Sequence, residues 1–145
     1  MYPIEAKKMK EIIGISKHQV PELVLQYARR SDSVLISSPW ISSEHAESLR
    51  RTLTGHTSTV LTMEDEKNTE AIGILADVAE PYQGPVHAKL YIFERHGYPF
   101  ASVFGSGNLT CSRFQELVLI CHDSSLNNEL VKRFFSFRNR CRRWK

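Results

Sequence analysis

The 145-residue sequence predicts a single layered α/β/α sandwich built on a mixed central sheet. Three observations carry this expectation. In the first half, short apolar runs of strand length alternate with segments of helical periodicity. In the second half, three strand-like runs follow one another with no helix between them, so the sheet is mixed and not purely parallel. No repeat, low-complexity tract or linker divides the chain, and its length suits one hydrophobic core.

The elements follow in order. Residues 18–30, "HQVPELVLQYARR", place Val20, Leu23, Val24, Tyr27 and Ala28 at helical spacing, and Pro21 fits a first turn. "SVLISSPW" at 33–40 reads as a short buried strand. Ser42 and Ser43 then supply a helix N-cap for "EHAESLRRTL", which Gly55 ends. "STVLTM" at 58–63 is a second strand, and Asp65 to Val78 a helix with Ile72, Leu75 and Val78 on one face. Pro81, Gly84 and Pro85 read as a loop. Three strands follow, "VHAKLYIF" at 86–93, "FASVFGS" at 100–106 after a "RHGYP" turn, and "ELVLICH" at 116–122. A helix over 125–143 closes the chain.

Composition narrows the class of function. The chain is 41% hydrophobic and 24% charged, as globular proteins are, and no apolar run reaches the roughly 18 residues of a membrane span. The first residues lack the apolar core and cleavage site of a secretory signal, so a cytoplasmic location is expected. Cys111, Cys121 and Cys141 are widely spaced and form no zinc-binding pattern, so reduced thiols, no metal and no cofactor are expected. Charge is uneven. The net +3 combines a stretch "KRFFSFRNRCRRWK" at 132–145 holding seven Lys or Arg and no acid with a remainder at −4. That stretch reads as an amphipathic basic helix, with Phe134, Phe135, Phe137 and Trp144 inward, and as a candidate grip on a phosphate backbone.

The residues with the most chemistry lie between 87 and 116. Strand alternation puts His87 and Lys89 on one face with Tyr91 and Phe93, while Ala88, Leu90 and Ile92 take the other. Gly105 and Gly107 allow a tight loop that presents Ser106, Asn108 and backbone N–H groups. An imidazole that can attack or protonate, a fixed cation and neutral donors suit a phosphate. Trp40, at the end of the first strand, is placed either to line a substrate cleft or to plug the core.

His87-x-Lys89, an acid at Glu94, and Gly105-Ser106-x-Asn108 together resemble the HxKxxxxD…GSxN signature of the phospholipase D superfamily. Glu94 departs from the usual Asp, at a position that is generally structural in that family. The resemblance implies a phospholipase D-like fold and a metal-independent phosphodiesterase. One histidine attacks phosphorus to give a phosphohistidine, a second protonates the leaving oxygen, and water releases the product. This sequence holds one motif, so the resemblance implies a homodimer in which each copy supplies His87, Lys89 and Asn108. Small single-motif members that look like this are endonucleases, in which an acid before the strand after the GSxN loop holds the imidazole. Glu116 matches that place, and a carboxylate on one ring nitrogen would fix the tautomer of the other.

The expected function is therefore a nuclease acting on DNA in preference to RNA, with Gly105, Ser106 and Trp40 contacting substrate and no membrane involved. Two alternatives stay open, a phospholipid hydrolase or transferase and a non-catalytic dimeric nucleic-acid-binding module.

Overall fold

A computed structural model describes residues 9–15, 19–106, 108–110 and 116–144. Among the described residues eight strands form one sheet: β1 (Met9–Ile15), β2 (Ser33–Ser37), β3 (Ser58–Met63), β4 (Ala79–Gly84), β5 (Leu90–Arg95), β6 (Tyr98–Gly105), β7 (Glu116–Cys121) and β8 (Arg142–Arg143). Their spatial order is β1-β7-β6-β5-β2-β3-β4-β8. β2, β3 and β4 are parallel neighbours joined by helices, and every other pairing is antiparallel. The sheet is mixed, as the sequence predicts, because crossover helices permit parallel pairing early while short turns force antiparallel pairing late.

The helices are α1 (Gln19–Ala28), α2 (Ser43–Leu53), α3 (Thr69–Leu75) and α4 (Ser124–Arg138). Alternation along the strands sends Val34, Ile36, Val60, Tyr91, Phe93 and Val103 into one core with α1, α2 and α3. Leu35, Leu61, Leu90 and Ile92 point the other way, against Phe134 of α4. Two cores on opposite faces of one sheet make the α/β/α sandwich. Caps fix where the helices start. Ser42 Oγ accepts from His45 N–H at the head of α2, and Asp123 does the same for Leu126 N–H at the head of α4.

Five boundaries differ from the sequence reading. β1 is an additional edge strand, antiparallel to β7, where no strand is expected. Residues 79–84 are a strand and not a loop. β4's outer neighbour is only the two-residue β8, and near an edge the donor missing from Pro81 is tolerated. The helix foreseen from Asp65 starts as a 3₁₀ turn (Glu66–Asn68) and becomes α-helical only at Thr69, because Asn68 is used to tie loops together. The closing helix stops at Arg138, and the chain turns back so that Arg142 and Arg143 pair with Gln83 and Tyr82. Gly84 permits that return, since a Cβ there would lie 2.8 Å from Cys141 Sγ and 2.9 Å from its Cα. Finally, β5 enters the ladder at Leu90, so His87 and Lys89 precede it. Its neighbour β2 ends opposite, at Ser37, before Pro39, and β6 turns away at Gly105.

Among the described residues no helix is long and apolar enough to cross a membrane. Cys121 and Cys141 are free thiols, and Cys111 lies outside the described residues.

Candidate active site

One end of the sheet collects the chemistry. There β2, β3, β4 and β6 finish while β5 and β7 begin, so each connection at that end brings a loop to the same rim. His87 and Lys89 arrive on the segment leading into β5. Ser106 and Asn108 come on the loop leaving β6, Glu116 opens β7, and Trp40 lies in the β2–α2 loop.

The 86–89 segment is extended but is held by individual bonds and not by a ladder. Ser37 Oγ donates to the Ala88 carbonyl at 2.8 Å, and Gly105 N–H donates to the Lys89 carbonyl at 3.3 Å. His87 is exposed and Lys89 half-buried, with Lys89 Nζ donating to the His87 carbonyl at 3.4 Å. No side chain among the described residues pairs with the Lys89 ammonium. The expected alternation holds for the ladder residues Leu90 to Phe93, while His87 and Lys89 precede the ladder.

The β6–β7 loop is fixed from both sides. Ser106 N–H donates to the Leu117 carbonyl and Leu117 N–H donates back to Ser106 Oγ, both at 3.0 Å. Gly105 makes this closeness possible. A Cβ at that position would sit 2.0 Å from the Leu117 oxygen and 2.9 Å from Val118 Cα, so only glycine fits. Beyond Gly107, which lies outside the described residues, Leu109 is stitched to the β2–α2 loop. Its N–H donates to Ser38 Oγ at 3.1 Å, and its carbonyl accepts from Ser42 N–H at 3.1 Å. A parallel bridge joins Leu109 to Ile41. Asn108 is thereby clamped between two anchored neighbours. Its Oδ1 is buried with no hydrogen-bond partner among the described residues, as are His56 Nδ1 and Thr62 Oγ1.

Three organising residues escape a reading based on motifs. Ser37 and Ser38, both buried, bind the two motif loops to the end of β2. Asn68 holds the β2–α2 loop itself, with Nδ2 donating to the Pro39 carbonyl (2.8 Å) and the Met63 carbonyl (2.9 Å), and Oδ1 accepting from Ile41 N–H (3.1 Å). The paired serines before a proline at a strand's end are a visible signal for the first two. For Asn68 the only signal is a polar residue inside a helical pattern.

Trp40 is half-buried at this rim, its ring 5.8 Å from Lys67 Nζ, so it does not plug the core. Glu116 pairs through its backbone with Ile15, and its side chain lies outside the described part of the structure. Glu94 stands at the far end of the sheet, opposite Ser33 of β2. Burial raises its carboxyl above the usual carboxylate range, and a hydrogen bond with Ser33 partly opposes this. It does not reach the rim that holds His87.

A cavity of about 150 Å³ adjoins the site and is lined by Ser37, Pro85, Val86, His87, Ala88, Phe137 and Arg140. The basic C-terminal segment, through Arg140, therefore borders the same cavity as the histidine. Among the described residues no three His, Cys, Asp or Glu side chains converge as metal ligands would.

Solved structures share this architecture. Nuc from Salmonella typhimurium, a phospholipase D family member, superposes with a TM-score of 0.70 at 15% identity, covering 94% of this chain and 99% of its own. The fold is phospholipase D-like. NucT from Helicobacter pylori matches with a TM-score of 0.73 at 13% identity over the same shares of both chains. TrmBL2, an archaeal chromatin protein with a novel mode of DNA binding, matches with a TM-score of 0.69 at 12% identity. That match covers 99% of this chain and 56% of TrmBL2. No protein-family model matches the sequence, and neither does any curated protein. Identities this low establish the phospholipase D-like fold and leave the chemistry to be argued from the side chains.

Proposed function

We propose that the chain is a metal-independent phosphodiesterase that cleaves nucleic acid, most simply as an endonuclease. The observation that carries this reading is the gathering of His87, Lys89 and Asn108 at one rim of a phospholipase D-like sheet. Lys89 offers a fixed cation and Asn108 a clamped amide. These stabilise charge on the non-bridging oxygens of a phosphodiester without a divalent ion.

The reaction balances with two imidazoles. A neutral His87 nitrogen attacks phosphorus and forms a P–N bond as the P–O bond to the leaving group breaks. A protonated His87 from a second copy donates its proton to that oxygen. Water, deprotonated by the same second imidazole, then attacks phosphorus and breaks the P–N bond. Since one chain supplies one such histidine, the working site is proposed to lie across a homodimer. Glu116, at the start of β7, is proposed to hold the imidazole of the nucleophile, and Ser106 to fix the loop that carries Asn108. The preference for nucleic acid rests on the basic C-terminal segment, whose Arg140 lines the same cavity as His87.

A second reading has its own support. TrmBL2 binds DNA as a chromatin protein and matches nearly the whole of this chain, so a non-catalytic DNA-binding module is the competing assignment. One assay separates them. Labelled DNA, RNA and phosphatidylcholine vesicles are incubated with the protein in chelator, beside the His87→Ala variant, and the protein is sedimented. The proposal expects a dimer and chelator-resistant cleavage of nucleic acid lost in His87→Ala. Binding without cleavage favours the chromatin-like reading, and cleavage of lipid alone overturns the substrate class.

A further inference from the structure

The geometry points to the β4–β8 edge as a binding track for a single nucleic-acid strand leading into the His87 cavity, with Arg140 and Arg143 as phosphate contacts and Trp144 as a base-stacking platform. This rests on the nuclease reading of the site, which already draws on the basic C-terminal segment for its substrate class, and deepens it by naming the contacts along that segment and the strandedness they favour.

The first support is the path of the chain. After α4, Arg140 N–H donates to the Phe137 carbonyl (3.0 Å) and Cys141 N–H to the Arg138 carbonyl (2.9 Å), which turns the backbone onto the outer edge of β4. Arg142 then pairs with Gln83 and Arg143 with Tyr82, and Trp144 N–H donates to the Pro81 carbonyl at 3.0 Å. β4 ends at the site rim, so the antiparallel β8 runs from that rim back along the edge. The order away from His87 is therefore Arg140, Arg142, Arg143, Trp144. The extended part, Arg142 to Trp144, spans about 10 Å, a length on the scale of one or two nucleotides.

The second support is that these cations are held by backbone pairing and close packing, not carried on a loose tail. Gly84 lets Cys141 pack against β4 where any side chain would collide. Arg142 pairs with Glu64, which anchors the strap to the end of β3. Arg140 and Arg143 have no acidic partner among the described residues. With its backbone already fixed, this segment orders only its arginine side chains, and not a flexible chain, on binding a polyanion.

The third support is the aromatic beside them. Trp144 is half-buried and lines a broad groove with Gln83, Arg142 and Arg143. An indole next to guanidinium groups at a groove wall is the arrangement by which proteins hold unpaired bases and the phosphates between them. A duplex offers phosphates to such a surface but keeps its bases stacked inside, so the track favours a single strand.

The test separates the track from the chemistry by reading binding in a His87→Ala background. Fluorescein-labelled single-stranded and duplex DNA 20-mers, and a single-stranded RNA of the same length, are titrated at several salt concentrations. Arg140→Gln with Arg143→Gln should weaken binding about tenfold and reduce the slope of log affinity against log salt by one to two. Trp144→Ala should weaken single-stranded binding by roughly five- to a hundredfold with a much smaller effect on duplex. Arg51→Gln, near the C-terminal end of α2, is the control and should change neither. Unaltered affinity and slope in the double Arg variant overturn the track, and equal losses for both DNA forms with Trp144→Ala overturn the single-strand preference. Far-UV circular dichroism of each variant confirms that the fold is kept. Cleavage by the unmutated protein is scored separately. Arginine-dependent binding without any cleavage retires the nuclease reading and leaves the track, while cleavage with arginine-independent binding does the reverse.

Discussion

The two ends of the sheet hold similar polar residues and use them in opposite ways. At the end where β2 and β3 begin, most polar groups close on each other, with His56 Nδ1 the exception among the described residues. Asp32 accepts from His96 N–H at 2.8 Å, Ser31 Oγ donates to the Tyr27 carbonyl, Ser33 Oγ binds the Thr57 carbonyl, and Glu94 is bonded to Ser33. At the end where β2 and β3 finish, the serines and Asn68 bind backbone, while the ammonium of Lys89 and the amide oxygen of Asn108 are left without side-chain partners among the described residues. The difference teaches that polarity alone does not mark a site. Buried polar residues serve the structure at both ends, and the candidate site differs in presenting a cation, Lys89, that no side chain among the described residues neutralises.

That contrast can be broken at several points. The largest effect is expected from His87→Ala, which should lower cleavage by at least about a thousandfold in a chelator-containing assay. Because the residue is exposed, stability should change by no more than about 0.5 kcal/mol. Next comes Asn68→Ala, which strips partners from the Pro39 carbonyl and Ile41 N–H of the β2–α2 loop and from the Met63 carbonyl at the end of β3. Chemical denaturation should show a loss of about 3 kcal/mol, with activity falling through the same loop. Gly105→Ala should cost about as much, since its Cβ cannot coexist with the Leu117 carbonyl and β6 and β7 must separate.

Ser38→Ala is milder and more diagnostic. It removes the acceptor for Leu109 N–H, with an expected loss of about 1 kcal/mol. Its effect on turnover should exceed its effect on KM, because it loosens Asn108 and not substrate binding at large. The smallest effect is expected at the opposite end. Burial raises the Glu94 carboxyl, so the folded chain holds that proton more tightly than the unfolded one. This contribution to stability is full below the ordinary carboxylate pKa and is lost as pH rises through the folded value. Glu94→Gln should abolish the loss, so its melting temperature should gain on the unmutated protein across that window. The gain should stay within about 0.5 kcal/mol at this half-exposed position, and activity should be unchanged.

Much of the molecule was legible in the residues. Helix periodicity located α1 and α2, and the apolar runs located β2, β3, β6 and β7, because burial of one face leaves a periodic trace. β4 was hidden by Pro81, Gly84 and Pro85, whose usual meaning as loop residues is overridden by a position near the sheet edge. The return of the chain at 139–143 was hidden for a similar reason. Arg142 and Arg143 continue a basic helical pattern, and what stops the helix is tertiary, the open space at Gly84. The candidate site stands out in the sequence through His87, Lys89, Ser106 and Asn108, which are chemically odd for a strand and a tight loop. The supports at Ser37, Ser38 and Asn68 were not, since their role is set by long-range contacts between residues 27 to 71 positions apart.

The proposed mechanism turns on direct attack of His87 on phosphorus. The most direct measurement is to quench the protein during turnover of a ³²P-labelled oligonucleotide in chelator and follow label retained on the denatured chain. An acid-labile, base-stable adduct on the unmutated protein that is absent from His87→Ala is the predicted result. Cleavage that proceeds with no adduct at any time, or only when a divalent ion is supplied, would contradict it.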